Sequence, residues 1–132
     1  MNLDLAKIDA IIFDLGGVIL DINIEGVFKK FKDAGIGNGK PGLEVIKTNK
    51  AFTQFETGKI TPEEFRDEIR KDSKNDFTDE MFDSIWNSML LPYSKERIVF
   101  LEKIRLKYRT FLMSNTNIIH FETYSKTLND NF

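Results

Sequence analysis

The feature that most constrains this chain is an apolar run that stops abruptly at a carboxylate and two glycines. Residues Ile8 to Phe13 are isoleucine-rich and broken only by Asp9 and Ala10, and they end at Asp14-Leu15-Gly16-Gly17. A short, nearly continuous apolar segment followed by glycines suits a strand buried on both faces of a parallel sheet. The glycines permit backbone conformations and close approaches that a side chain would forbid. A second apolar stretch, Val18 to Leu20, follows and closes with Asp21. Far along the chain, Thr110-Phe111-Leu112-Met113 repeats the theme, a short strand that ends at Ser114-Asn115.

Between these two strands the hydrophobic period becomes helical. Val27, Phe28 and Phe31 mark a first helix ended by Ala34-Gly35, and residues Gly35 to Gly42 form a loop by composition. Leu43, Ile46, Phe52 and Phe55 predict a second helix stopped by Gly58. Thr61-Pro62-Glu63-Glu64 is a specific helix start: Thr61 caps, Pro62 fits the first helical position, and Glu64 completes a capping box. Phe65 and Ile69 share the inner face of that helix. Thr78 opens the next, with Met81, Phe82, Ile85, Trp86 and Met89 as its apolar stripe and Pro92 beyond its end. Ser94 caps a fifth helix that turns Ile98, Leu101 and Ile104 inward. A weaker helical segment runs from about Asn117 to Leu128.

Two parallel strands joined by helical connections define an α/β sheet. The block from Asp21 to about Leu90 exceeds a simple crossover and reads as a helical insertion over the carboxyl ends of the strands. The expected division is therefore an α/β core of residues 1–20 and 93–132 with a helical cap of residues 21–92. Two strands alone cannot complete an open sheet with helices on both faces.

Composition removes whole classes of chemistry. The chain has 132 residues, 41% hydrophobic and 30% charged, enough for one domain. It contains no cysteine and one histidine, His120. Disulfides, thiolate metal sites, cysteine nucleophiles, His-based zinc clusters and a serine-histidine triad are thereby excluded within it. The formal net charge of -2 weighs against a nucleic-acid binder. The apolar runs are too short to span a membrane, Asp4 and Asp9 interrupt any signal peptide, and a cytoplasmic setting is expected.

Chemistry must then rest on carboxylates, hydroxyls, amides and backbone. Ligands of open α/β sheets bind outside the carboxyl ends of the strands. Asp14 and Ser114, about 100 residues apart in the chain, are expected to converge there. Asp14 is placed beside backbone N–H groups able to form an anion-binding nest. A divalent cation would cancel the repulsion between that carboxylate and an anion, and Mg²⁺ favours carboxylate, carbonyl and water ligands. The carboxylate could then attack phosphorus.

These residues resemble a known family. Ile11-Ile12-Phe13-Asp14-Leu15-Gly16-Gly17-Val18-Ile19-Leu20 is similar to motif I of the haloacid dehalogenase (HAD) superfamily, and Phe111-Leu112-Met113-Ser114-Asn115-Thr116-Asn117 to its motif II. The intervening helices, including Gly58 to Phe65, resemble the helical cap of the cap-one branch (subfamily IA). Ser114 to Asn117 with His120 following resembles the sugar-phosphatase (glucose-1-phosphatase)-like members. The resemblance implies a HAD-like Rossmannoid sheet, incomplete in this chain, and a Mg²⁺-dependent hydrolase of a small phosphorylated metabolite. It implies Asp14 as nucleophile and metal ligand, with the Gly16 carbonyl as second ligand. Leu15, Gly16, Ser114 and Asn115 would hold the phosphoryl oxygens, helped by the N-terminus of the helix that follows.

Two departures qualify the resemblance. The family's usual second aspartate of motif I, its general acid, is Gly16 here, and losing such a group costs roughly 10²–10⁴-fold. The lysine of motif III and the acidic pair of motif IV have no convincing counterpart before Phe132, and Asn129-Asp130-Asn131 does not follow a hydrophobic strand. The chain is therefore expected to be the N-terminal portion of a longer protein and impaired by itself. Two other readings stay open: a non-catalytic binding or regulatory module with this fold, and a carbon–halogen hydrolase with the same nucleophile. Oligomeric state is open as well.

Plainer roles suit several other residues. Asp21 reads as a loop or capping residue, and His120 as a packing or surface residue with a substrate-edge role still open. The insert's aromatic residues read as core, and Lys29, Lys30 and Lys32 as a solvated helix face. Gly39-Lys40 fails as a phosphate loop, because it follows a helix in the wrong register and runs into Pro41.

Overall fold

The computed structural model describes residues 5–40, 44, 46 and 48–131. These group into two compact units, residues 1–22 with 91–114, and residues 23–90 with 115–132.

The first unit carries the sheet. Strand β1 (Ala10–Phe13) pairs in parallel with β2 (Arg109–Leu112), in the register Ala10↔Arg109 to Phe13↔Leu112. Helix α5 (Lys95–Arg105), the fifth in chain order, precedes β2 and is capped by Ser94, whose hydroxyl accepts the Arg97 N–H at 3.1 Å. Ile98, Leu101 and Ile104 form its half-buried stripe. The expectation of a strand buried on both faces is corrected here. Ile12 is 63% exposed, and Phe111 and Met113 are exposed too. Two four-residue strands and one helix have too little surface to cover both faces of a sheet. The α/β architecture is present, and its sheet is incomplete.

The second unit is helical. Helix α1 (Ile24–Asp33) starts at Asn23, whose side chain accepts the Gly26 N–H. It closes with a Schellman turn, Ile36 N–H to Phe31 carbonyl and Gly35 N–H to Lys32 carbonyl, which requires the positive φ of 72° that Gly35 supplies. Helix α2 (Lys50–Glu56) differs from expectation. Glu44, Ile46 and Thr48 are helical, but Asn49 interrupts the run and caps α2 by accepting the Ala51 N–H at 2.9 Å. An asparagine at a cap competes for backbone donors better than it continues a helix. Leu43, Pro41 and Gly42 lie outside the described residues.

Helix α3 (Pro62–Lys71) has the full capping box, Thr61 N–H to Glu64 Oε2 at 2.8 Å and Glu64 N–H to Thr61 Oγ1 at 3.2 Å. Helix α4 (Asp79–Asn87) is capped by Thr78 and buries Phe82 and Trp86. Met81, expected in that stripe, is exposed at the first turn. Helix α6 (Ile118–Asn131) completes the unit.

The core of this unit is aromatic. Phe65 stacks on Phe55 at 4.3 Å and meets Phe52 and Phe82 edge-on at 5.2 and 5.5 Å. Trp86 is surrounded by Phe28, Phe31 and Phe52. Ile119 of α6 belongs to the same cluster. A partly buried Arg66 forms two hydrogen bonds to Asp83, at 3.0 and 2.7 Å, and ties α3 to α4. No helix among the described residues is long and apolar enough to cross a membrane.

Candidate active site at the strand ends

The parallel register decides which residues emerge together. Phe13 pairs with Leu112, and the Met113 N–H donates to the Phe13 carbonyl at 2.9 Å. Asp14 and Ser114 therefore leave the sheet at the same carboxyl edge, one residue past that last hydrogen bond on the Ser114 side. Asp14 is exposed and Ser114 half-buried. Asn115 is exposed and groups with the helical unit.

After Asp14 the chain folds into a tight loop around one carbonyl. The Leu15 oxygen accepts N–H groups from Val18, Ile19 and Leu20 at 3.3, 2.9 and 3.0 Å. Gly17 donates to the Leu20 carbonyl at 2.7 Å and takes a φ of 75°, a conformation that favours glycine. Buried Leu15, Ile19 and Leu20 anchor the loop through their side chains. Gly16 has no such backbone requirement. A Cβ built there would approach only Ile22 Cγ2, at an ordinary 3.6 Å.

One N–H of the expected anion nest is already engaged. The Leu15 N–H donates to Asp14 Oδ1 at 2.7 Å, which orients the carboxylate and leaves its second oxygen for chemistry. For Leu15 to hold a phosphoryl oxygen, this bond must exchange partners. Among the described residues no group of three or more His, Asp or Glu could hold a metal ion. The Asp14 carboxylate and the Gly16 carbonyl are hard oxygen donors, the chemistry that Mg²⁺ prefers.

Asp21 sits in a structural role. Arg97 Nη2 donates to its Oδ1 at 2.8 Å, Arg97 Nη1 reaches the Ile19 carbonyl at 3.4 Å, and the Leu91 N–H donates to the Asp21 carbonyl at 2.9 Å. These bonds join the segment leaving the motif I loop to the start of α5. Arg97 escapes sequence reading, since nothing local marks a partner 76 residues away. His120 is buried in the helical unit and stacked on Trp86 at 5.0 Å.

The fold has solved relatives. No family model matches the chain. A crystal structure of a HAD family enzyme from Bacteroides thetaiotaomicron, in complex with magnesium and inorganic phosphate, superposes with a TM-score of 0.81 at 34% identity, over 96% of this chain and 66% of that one. The chain belongs to the HAD superfamily. A predicted HAD-like family hydrolase from Porphyromonas gingivalis superposes with a TM-score of 0.72 at 30% identity, over 87% of this chain and 55% of that one. The D-ribitol-5-phosphate phosphatase of B. thetaiotaomicron is 27% identical over 128 residues, 91% of this HAD chain and 62% of the relative. The chain thus spans less than two thirds of the length of each of these relatives.

Proposed function

We propose that this chain carries the nucleophile of a Mg²⁺-dependent phosphate-monoester hydrolase of the sugar-phosphatase-like branch, acting on a small phosphorylated metabolite in the cytoplasm. The observation that carries the reading is the parallel register that brings Asp14 and Ser114 to one sheet edge. Support also comes from relatives named as a phosphatase and as a HAD enzyme bound to magnesium and phosphate. Nothing in these relatives favours the non-catalytic module or the carbon–halogen hydrolase. The core of residues 1–20 and 93–132 with a cap of residues 21–92 is part of the proposal.

In this reading the free oxygen of Asp14 attacks phosphorus. An Asp14–phosphorus bond forms as the ester bond breaks, and water then cleaves the acyl phosphate to release inorganic phosphate and restore the carboxylate. The Leu15–Asp14 bond at 2.7 Å holds the carboxylate in one orientation beforehand, the kind of positioning that contributes to rate. Ser114, Asn115 and the N–H groups of Leu15 and Gly16 hold the phosphoryl oxygens. Asp14 and the Gly16 carbonyl would hold Mg²⁺, which when bound would offset the repulsion between carboxylate and phosphate. Gly16 offers no proton, so the leaving oxygen must take its proton from a group other than residue 16.

The test is phosphate release from a panel of sugar and polyol phosphates, D-ribitol 5-phosphate among them, by the in-frame full-length protein. Turnover should require Mg²⁺ and fall on the order of 10⁴-fold or more in Asp14→Asn. Turnover that survives Asp14→Asn, or none from a folded, Mg²⁺-binding protein, would overturn the reading.

A further inference from the structure

The residues that follow Ser114 are tied down by a hydrogen-bond arrangement with only one consistent proton placement. Asn117 Oδ1 accepts the His120 N–H at 3.0 Å, capping α6. With its oxygen so used, the amide nitrogen lies on the other side. There it donates to Glu56 Oε1 at 2.8 Å and meets His120 Nδ1 at 3.2 Å. An amide nitrogen can only donate, so His120 Nδ1 is the acceptor and the ring proton sits on Nε2. That nitrogen is 3.2 Å from the Trp86 carbonyl, which accepts it. The ring is stacked on Trp86, so it cannot pivot without losing that face.

We propose that Asn117, His120 and Glu56 form a positioning lock, holding the segment after Ser114 and the first turn of α6 in one arrangement only while His120 is neutral with its proton on Nε2. The lock's meaning for phosphate binding rests on the phosphatase reading; its existence does not. A proton added at Nδ1 would face the Asn117 amide donor to donor. The amide would have to turn over, and its oxygen would leave the helix cap. One proton therefore breaks two bonds. Burial already pushes the His120 pKa down, against the smaller opposite pull of the Trp86 carbonyl. Glu56 of α2 is the acidic side chain joined to the cluster. On α4, Asp83 is held by Arg66, and Glu122 of α6 is exposed.

His120 is the one histidine of the chain, so its ring ¹H–¹⁵N signals need no assignment. NMR titration of the chain should show the Nε2–H tautomer and a midpoint below that of a free imidazole. Asn117→Asp keeps a cap oxygen but replaces the amide donor with a carboxylate beside Nδ1. The midpoint should rise by about one unit or more, with Nδ1 protonated. Asn117→Ser, neutral and too short to reach the ring, should relax the tautomer preference and speed amide exchange at residues 115–118 by about tenfold, sparing α3. Glu56→Gln, which keeps an acceptor for Asn117, should preserve the tautomer. An Nδ1–H tautomer in the unaltered chain overturns the lock, whatever the variants do. So does a titration unmoved by Asn117→Asp. Neither measurement involves substrate or metal, so the lock stands or falls separately from the phosphatase reading.

Discussion

The two units of this molecule contain similar kinds of apolar residue and use them differently. In the helical unit, Phe65, Phe82 and Val27 are fully enclosed, and aromatic rings meet one another at 4.3 to 6.5 Å. In the strand unit, Ile12, Phe100, Phe111 and Met113 face outward, and α5 buries no residue completely. Helices close a core with a stripe of side chains on each, whereas a sheet needs several strands before either face is covered. Stability should therefore concentrate in the helical unit, while the proposed chemistry sits on the strand unit.

The sharpest way to break that comparison is a matched pair of truncations. Phe65→Ala removes a ring that touches Phe52, Phe55, Phe82 and Trp86, and should cost about 3–5 kcal/mol in urea denaturation. Phe111→Ala, at a residue 47% exposed, should cost less than about 1 kcal/mol. Equal costs would mean that the strand unit is as tightly packed as the helical one.

A second difference is electrostatic and confined to the helical unit. His120 has its pKa lowered by burial, so below the ordinary histidine value of about 6.5 the unfolded chain holds a proton that the folded chain does not. Its contribution to stability is complete above about pH 6.5 and is lost as pH falls toward the depressed folded value, with a slope of at most about 1.4 kcal/mol per pH unit. Urea midpoints should hold steady from pH 8 to about 6.5 and fall from there to pH 5 in the unaltered chain. The slope should shrink in His120→Gln, which cannot titrate. Identical slopes would place the histidine outside the core.

What can be read in advance follows the reach of each signal. The caps at Thr61, Thr78 and Ser94 are local, a side chain and backbone donors three residues on, and the structure has all three. Asn49 is equally local. It escapes a reading of periodicity because the apolar spacing from Ile46 to Phe52 and Phe55 bridges the break, and spacing outweighs a single polar residue. Asp14 and Ser114 are legible as strand ends because a strand's direction fixes where its last residue points. The open faces of the sheet are not, since burial depends on what else covers a strand. Nor are Arg97 with Asp21, or Glu56 with Asn117 and His120, whose partners are brought together by packing alone.

The smallest contrast lies within the motif I loop and separates two adjacent glycines. Gly17, at a φ of 75°, sits in the region where an L residue loses roughly 1–2 kcal/mol, although a Cβ there would touch nothing within 4 Å. Gly16 has no positive φ, and its nearest obstacle, Ile22 Cγ2, is at 3.6 Å. Gly17→Ala should lower stability by about 1–2 kcal/mol in urea denaturation, and Gly16→Ala should leave it within about 0.5 kcal/mol. The missing carboxylate at position 16 is then a chemical choice that the backbone does not impose. If Gly16→Ala proves as costly as Gly17→Ala, the loop demands glycine at both positions, and the absence of an acid there is a consequence of folding.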